Sequence, residues 1–246
     1  MSGAPLDWIR FLDLPRLEAR EGDDEAVAAL CHRAIAGPGH VAAVCIYPAY
    51  VRLARRLLRG TDIAIATVAN FPGGDQPLDQ VLAAVEAALR DGATEIDVVA
   101  PYGRWMQGDR HAVSALIDPV VNLCAARALV KVILETGLIP SSGQRQALAR
   151  ECARPGVAFL KTSTGKARYG ATVDGVEDLA QVLARLRDAG RCVGLKIAGG
   201  VRTRAQLLLY HEIVVRNLGA RFVQPETLRI GASSLLDALQ AAPARG

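Results

Sequence analysis

The sequence predicts a single-domain (β/α)8 barrel of the α/β class, and three observations carry that expectation. Apolar runs of roughly five to seven residues alternate with helical patterns of roughly 10 to 15 residues about eight times along the chain. The runs are nearly continuous in apolar residues, as strands of a parallel sheet covered by helices must be. The chain has 246 residues, close to the ~250 typical of eight βα units closed into a barrel. The competing doubly wound sheet would show a G-x-G-x-x-G turn after the first strand, and the sequence has none there. No composition break marks a linker, so residues 1–246 are expected to form one domain with frayed ends at 1–8 and 241–246.

Taken in order, Ile9-Arg-Phe-Leu-Asp13-Leu14 reads as the first strand, with Pro15 ending it. Asp24 and Glu25 open an amphipathic helix through Val27, Leu30, Cys31 and Ile35, stopped by Gly37-Pro38-Gly39. Val41–Ile46 is a second strand, broken by Tyr47-Pro48, and helical periodicity runs from Ala49 to Arg59. The third strand, Ile63–Val68, ends in the loop Asn70-Phe-Pro-Gly-Gly74, and a helix from Leu78 to Arg90 terminates at Gly92. Glu95–Ala100 is a fourth strand with an acid, Asp97, at its middle; Pro101-Tyr-Gly103 ends it, and a helix extends from His111 through Ala126. Leu129–Glu135 is the fifth strand, and the helix Ser142–Cys152 leads to Val157–Leu160, with Lys161 at that strand's carboxyl end. The helix Asp174–Ala189 leads to a strand beginning at Cys192 that carries Lys196 and ends in Gly199-Gly200. A further helix runs through Leu218, a weak strand is expected near Ala220–Val223, and Gly231-Ala-Ser233-Ser234 opens the last helix.

Bulk properties exclude several function classes. A net charge of +4 and no basic run interleaved with aromatics argue against nucleic acid as a partner. No stretch approaches the ~18 apolar residues of a membrane span, and the amino terminus lacks a signal-peptide pattern, so a cytoplasmic location is expected. The five cysteines show no CxxC spacing, which fits reduced thiols. Four isolated histidines without a paired-ligand spacing give no reason to expect a catalytic metal, and no cofactor motif is present.

The basic residues are lopsided. Of 29 lysines and arginines only Lys131, Lys161, Lys166 and Lys196 are lysine. Arginine cannot lose its proton and form an imine; lysine can. In a barrel the strands' carboxyl ends converge on one face, which gathers Asp13, Cys45, Thr67, Asn70, Asp97, Lys131, Glu135, Lys161 and Lys196. Burying an ammonium is costly, so Lys161 and Lys196 at successive strand ends suggest amine chemistry rather than packing. Adjacent parallel strands run ~4.8 Å apart, and two ammonium groups that close disfavour each other, leaving one amine neutral and nucleophilic. Asp97 could then relay protons, or serve as the acid of a structural ion pair. Asp13 reads equally well as a strand-end cap or a functional acid. Cys45 reads as a small residue beside the site, and Lys131 with Glu135, four apart on one strand, as a structural pair.

A second constellation suits an anion. Gly165-Lys166, Gly199-Gly200 and Gly231-Ala-Ser233-Ser234 follow successive late strands. Glycines let backbone N–H groups approach a ligand, and barrels commonly bind phosphate at their last loops. A phosphorylated small molecule is therefore the expected substrate.

Six strings together resemble the 2-deoxyribose-5-phosphate aldolase family: Ala43-Val-Cys-Ile-Tyr-Pro48, Glu95-Ile-Asp-Val-Val99, Val130-Lys-Val-Ile-Leu-Glu-Thr-Gly137, Leu160-Lys-Thr-Ser-Thr-Gly-Lys166, Gly194-Leu-Lys-Ile-Ala-Gly-Gly-Val-Arg-Thr203 and Gly231-Ala-Ser-Ser-Leu235. They run in order over nearly the whole chain. The resemblance implies a class I aldolase that reversibly cleaves 2-deoxy-D-ribose 5-phosphate to D-glyceraldehyde 3-phosphate and acetaldehyde. It implies Lys161 as the Schiff-base lysine, Lys196 as the residue that perturbs it, and Asp97 as the proton shuttle. It implies a substrate site of Asp13, Cys45, Thr164, Gly165, Lys166, Gly199, Gly200, Ser233 and Ser234, with no metal and no cofactor.

The chain departs from the family in places. Pro15-Arg16 stand where members carry hydroxyl residues after Asp-Leu, so hydroxyl recognition by this loop is not carried over. The segment Phe222–Arg229 is divergent. Some members end in a tail with a terminal tyrosine that aids proton transfer; the last residues here are Ala244-Arg245-Gly246, so Asp97 and water are expected to suffice. Two alternatives stay open: an aldolase of the same barrel with another aldehyde acceptor, and a non-catalytic sugar-phosphate sensor, which would need the cradle but not the two lysines. A homodimer is expected from the prevalence of two-fold assemblies.

Overall fold

A computed structural model of the protein describes residues 7–18, 22–36 and 39–241. Eight parallel strands close into a barrel in sequence order. They are β1 (Leu12–Arg16), β2 (Ala43–Ile46), β3 (Ala64–Ala69), β4 (Glu95–Val99), β5 (Leu129–Ile133), β6 (Val157–Lys161), β7 (Gly194–Ala198) and β8 (Leu228–Gly231). The helices are α1 (Asp24–Ile35), α2 (Val51–Leu57), α3 (Leu78–Asp91), α4 (Tyr102–Met106), α5 (Ala112–Cys124), α6 (Ser142–Cys152), α7 (Val173–Asp188), α8 (Arg204–Leu218) and α9 (Ser234–Gln240).

Local chemistry sets the helix ends. In α3 the buried residues Val81, Val85, Ala88 and Leu89 recur at helical spacing, and Gly92 stops the helix at φ +106°, donating its N–H to the carbonyls of Ala88 and Leu89. Ser141 and Thr172 cap α6 and α7 through their hydroxyl oxygens, and Thr203 with Gln206 forms a full capping box on α8. The main core lies between the strands' outer face and the helices' apolar faces.

Register decides what fills the barrel. Lys161 is paired with Lys196, Lys196 with Arg229, and Asp97 with Lys131. Register partners on parallel strands point to the same side, so these residues project together into the interior. The opposite half of the interior is apolar and built from small or branched residues, Ala43, Cys45, Ala66, Val68, Val99 and Ile133. Below the lysines the Phe159 ring lies between two cations, with Lys131 Nζ 6.0 Å and Arg229 Cζ 5.7 Å from its centroid. Gly194 makes room for it, since a Cβ there would come within 2.5 Å of the ring.

Four local expectations are corrected. The segment Trp8–Phe11 is a short 3-10 helix, and β1 begins at Leu12 and runs through Pro15. By Pro15 the ladder to β8 has ended, leaving a neighbour on one side only, where a missing N–H is tolerated. Trp8, expected in a frayed end, is buried against Phe11 and His211; residues 1–6 and 242–246 lie outside the described residues. The weak strand near Ala220–Val223 is instead a 3-10 turn at Ala220–Phe222, and β8 follows it. An inward-facing charge, Arg229, disguised β8 by interrupting its apolar run. The short helix α4 went unanticipated, and α5 occupies a narrower span than its periodicity suggested.

Candidate active site

The carboxyl ends of the strands surround a cavity of about 290 Å3. Its floor carries Lys161 from β6, Lys196 from β7 and Asp13 from β1. Both lysine side chains are almost fully buried, and beneath them lies the fully buried Asp97. The amines of Lys161 and Lys196 each donate to the same oxygen, Asp97 Oδ2, at 2.7 Å. The expectation that the two lysines meet is thus realised through a shared acid.

The acid belongs to a larger buried network. Lys131 Nζ lies 3.2 Å from Asp97 Oδ1, 3.2 Å from Asp13 Oδ2, and also bonds Glu95. Lys196 Nζ lies 2.5 Å from Asp13 Oδ2. The Arg229 guanidinium closes the ring from below, 2.9 Å from Asp13 Oδ1 and 3.3 Å from Glu95 Oε1. Three carboxylates therefore face four cations.

The electrostatics follow from this packing. Burial alone would raise the Asp97 carboxyl, but the ammonium groups of Lys131, Lys161 and Lys196 override it and hold it well below the carboxylate range. Asp13 is held low in the same way by Lys131, Lys196 and Arg229. Burial would strip the proton from Lys196, yet the carboxylates of Asp13 and Asp97 outweigh it and hold that amine well above the usual lysine value. The acids between the two lysines, not the neighbouring ammonium, therefore decide the charge of Lys196. Burial pushes the Cys45 thiol up, 3.9 Å from Asp97 Oδ2.

Other residues gathered from the strand ends have different tasks. Thr67 donates its hydroxyl to the Ile46 carbonyl, and Asn70 bonds the Val99 carbonyl and the Gln76 N–H. The expected pairing of Lys131 with Glu135 is corrected. β5 ends at Ile133, so Glu135 leaves the strand and bonds Thr164, while Lys131 serves the network below.

The rim carries the anion constellation. Thr164, Gly165 and Lys166 form one side of the mouth, and Gly199 and Gly200 the next. Gly165, Gly199 and Gly200 have φ of +79°, +91° and +80°, a left-handed backbone that glycine adopts without penalty. Ser233 lines the cavity, whereas Ser234, the first residue of α9, does not. Lining residues beyond the expected set include Arg202, Pro15, Leu17 and the acidic Glu18. Arg202 follows the glycine pair in the string Gly199-Gly200-Val201-Arg202, and that adjacency was its available signal. Pro15, where related chains carry a hydroxyl residue, and Leu17 supply an apolar wall.

A parallel eight-stranded barrel with two buried lysines on one carboxylate, beneath a glycine-rich mouth, defines the class of barrel enzymes that work on carbonyl carbon through an amine. A family model described as DeoC/LacD family aldolase matches residues 12–241. The chain belongs to this aldolase family. It is 40% identical over 231 residues to the deoxyribose-phosphate aldolase of Agrobacterium fabrum, covering 93% of this chain and 87% of that one. Among solved structures it resembles a candidate deoxyribose-phosphate aldolase from Toxoplasma gondii (TM-score 0.82, 26% identity, covering 95% and 91% of the two chains). It also resembles the deoxyribose phosphate aldolase of Aeropyrum pernix, described as a tetramer (TM-score 0.74, 25% identity, covering 98% and 92%). No helix among the described residues is long and apolar enough to cross a membrane.

Proposed function

We propose that the protein cleaves 2-deoxy-D-ribose 5-phosphate reversibly to D-glyceraldehyde 3-phosphate and acetaldehyde through a Schiff base on Lys161. One observation carries the reading: Asp97 Oδ2 lies 2.7 Å from both Lys161 Nζ and Lys196 Nζ at the floor of a cavity whose glycine-rich mouth carries Lys166 and Arg202, with Glu18 beside them. Attack on a carbonyl needs a free amine. With Lys161 in that form, the three carboxylates of the network face three remaining cations, Lys131, Lys196 and Arg229. Lys196, held as an ammonium, is the complementary acid.

In this reading Lys161 adds to the C1 aldehyde, and loss of water gives the imine. Removal of the C3 hydroxyl proton breaks the C2–C3 bond, and the imine takes up the electron pair as an enamine. Protonation at C2 and hydrolysis then release acetaldehyde and restore the amine. Asp97, bridged to both amines, relays these protons with Lys196 and water. The phosphate lies at the rim formed by Thr164, Gly165, Lys166, Gly199, Gly200 and Ser233, with Arg202 adding charge. Asp13 lines the floor but has both oxygens engaged by Lys131, Lys196 and Arg229, so it shapes the site through those cations.

The test is borohydride trapping of the purified protein with 2-deoxyribose 5-phosphate, followed by peptide mass spectrometry. A two-carbon adduct on Lys161 is the expected result. An adduct from acetaldehyde but none from the sugar phosphate would keep the chemistry and replace the substrate. No adduct from either would end the reading. A dimer of identical chains and a cytoplasmic place of action belong to the same proposal. Five free cysteines, four of them buried, support a reducing compartment, and sedimentation measures the assembly.

A further inference from the structure

Glu135 stands just past β5, and its side chain is buried (1% exposed) without lining the cavity. Its backbone is left-handed, with φ +53° and ψ +52°, a conformation disfavoured for any residue with a side chain. The surrounding contacts say what holds it there. Its carboxylate accepts the Thr164 N–H at 3.2 Å and 3.4 Å on its two oxygens, and the Thr164 hydroxyl as well. Thr164 Oγ1 in turn accepts the Lys166 N–H at 3.0 Å. The residues on either side of Glu135 are tied to the strand that carries the reactive amine. Leu134 N–H donates to the Lys161 carbonyl at 2.9 Å, and Thr136 N–H to the Thr162 carbonyl at 2.8 Å.

The same strand end supports the rest of the rim. A Cβ on Gly137 would come within 2.7 Å of the Tyr169 carbonyl oxygen, so the loop from Thr164 to Ala171 rests directly on it. Ala171 N–H then donates to the Gly199 carbonyl at 2.9 Å, linking the first glycine loop to the second. Burial holds the Glu135 carboxyl above its usual value, against the Thr164 bonds and the Lys161 charge that pull it down.

We propose that Glu135 is a positioning residue for the anion rim: its carboxylate fixes Thr164-Gly165-Lys166 so that a phosphate meets a preformed cradle. The inference rests on the phosphorylated-substrate reading above, and it assigns Glu135 no part in the amine chemistry. A residue that merely stabilised the fold would affect phosphorylated and unphosphorylated substrates alike. A positioning residue separates them.

The experiment compares wild type with Glu135→Gln, which sets an amide N–H2 against a Thr164 donor, and with Thr164→Val, which removes the hydroxyl from the other side. Inorganic phosphate is the direct probe, titrated by calorimetry. Its affinity is expected to fall about tenfold in Glu135→Gln, the size of one lost hydrogen bond to a charged group. KM for 2-deoxyribose 5-phosphate should rise by about the same factor with kcat within about twofold. In Glu135→Gln, activity on unphosphorylated 2-deoxyribose and acetaldehyde trapping on Lys161 should match wild type. Unchanged phosphate affinity in Glu135→Gln, or equal loss on both sugars in that variant, overturns the proposal. A wild type that binds phosphate more tightly than the variants yet cleaves neither sugar supports Glu135 as positioned here and ends the aldolase reading. A wild type with no affinity for phosphate overturns both.

Discussion

Lys161 and Lys196 are register partners on neighbouring strands, and their amines converge on a single oxygen of Asp97 at 2.7 Å each. The surroundings then distinguish them, because Lys196 alone of the pair also bonds Asp13, at 2.5 Å. One amine is tied to two acids and the other to one.

Substitution of the two lysines should therefore give different phenotypes. Lys161→Ala is expected to abolish the borohydride-trapped adduct. Lys196→Leu should keep a trappable amine on Lys161 but lower turnover, because it removes the ammonium that donates to Asp97 beside it. Turnover near neutral pH should fall about 100-fold, the lower range for losing a positioned acid or base. Turnover equal to wild type would show that the Lys196 ammonium takes no part in the proton transfers.

Arg229 should matter for stability more than for chemistry. Its guanidinium pairs Asp13 and Glu95 under the Phe159 ring. Arg229→Met leaves both carboxylates short of a partner, and breaking a buried ion pair from one side costs about 3–5 kcal/mol. Adding Glu95→Gln to that variant should recover part of the loss, since it removes one of the stranded charges. Urea denaturation of both variants measures the difference; equal stability of the single variant and wild type would contradict the pairing.

The network also sets how stability depends on pH. Asp13 and Asp97 are held below their unfolded values by the surrounding cations. Their contribution is present above about pH 4, where unfolded carboxyls titrate, and is lost as pH falls toward the folded values. Lys131 and Lys196 are shifted upward, so their contribution is full below about pH 10 and fades as pH rises through the folded values. Unfolding free energy should thus decline at both extremes, and Asp13→Asn should flatten the acid limb. Chemical denaturation at a series of pH values checks this, with an unchanged acid limb in Asp13→Asn as the contrary result.

Gly170→Ala tests the contact between the two glycine loops. A Cβ there would come within 2.3 Å of the Gly199 carbonyl oxygen, and backbone cannot yield as a side-chain tip can. The loops must separate, so KM for the phosphorylated sugar is expected to rise about tenfold or more while acetaldehyde trapping on Lys161 persists. Unchanged KM would show that the loops are not coupled through this contact.

The barrel was legible because its signals are local and repeated: apolar runs, helical spacing, and stops such as Gly92. The lysine pair was legible because lysine is rare in this chain, and because Val157–Lys161 and the strand carrying Lys196 end alike. What stayed hidden depended on register. Nothing near Glu95, Lys131 or Arg229 in sequence says that they share a network with Asp13, since those contacts span 36 to 216 positions. Arg229 even concealed its own strand, because a charge inside a barrel reads as a break in an apolar run. Glu135 was misread for a related reason: four-residue spacing puts two residues on one face only while the strand lasts, and β5 stops two residues before Glu135. Of the two adjacent rim serines only Ser233 lines the cavity, a distinction two identical neighbours do not display in sequence.

The scarcity of lysine has a practical corollary for handling the molecule. Lys131, Lys161 and Lys196 are enclosed, and Lys166, at the mouth of the cavity, is the side-chain amine open to solvent. Acylating dyes, cross-linkers and amine-reactive resins will therefore find, beyond the terminal amine, one target on the folded protein, and that target guards the entrance. Immobilisation by ordinary amine coupling would fasten the molecule face down over its own opening. Attachment through the exposed thiol of Cys192 would leave that opening clear.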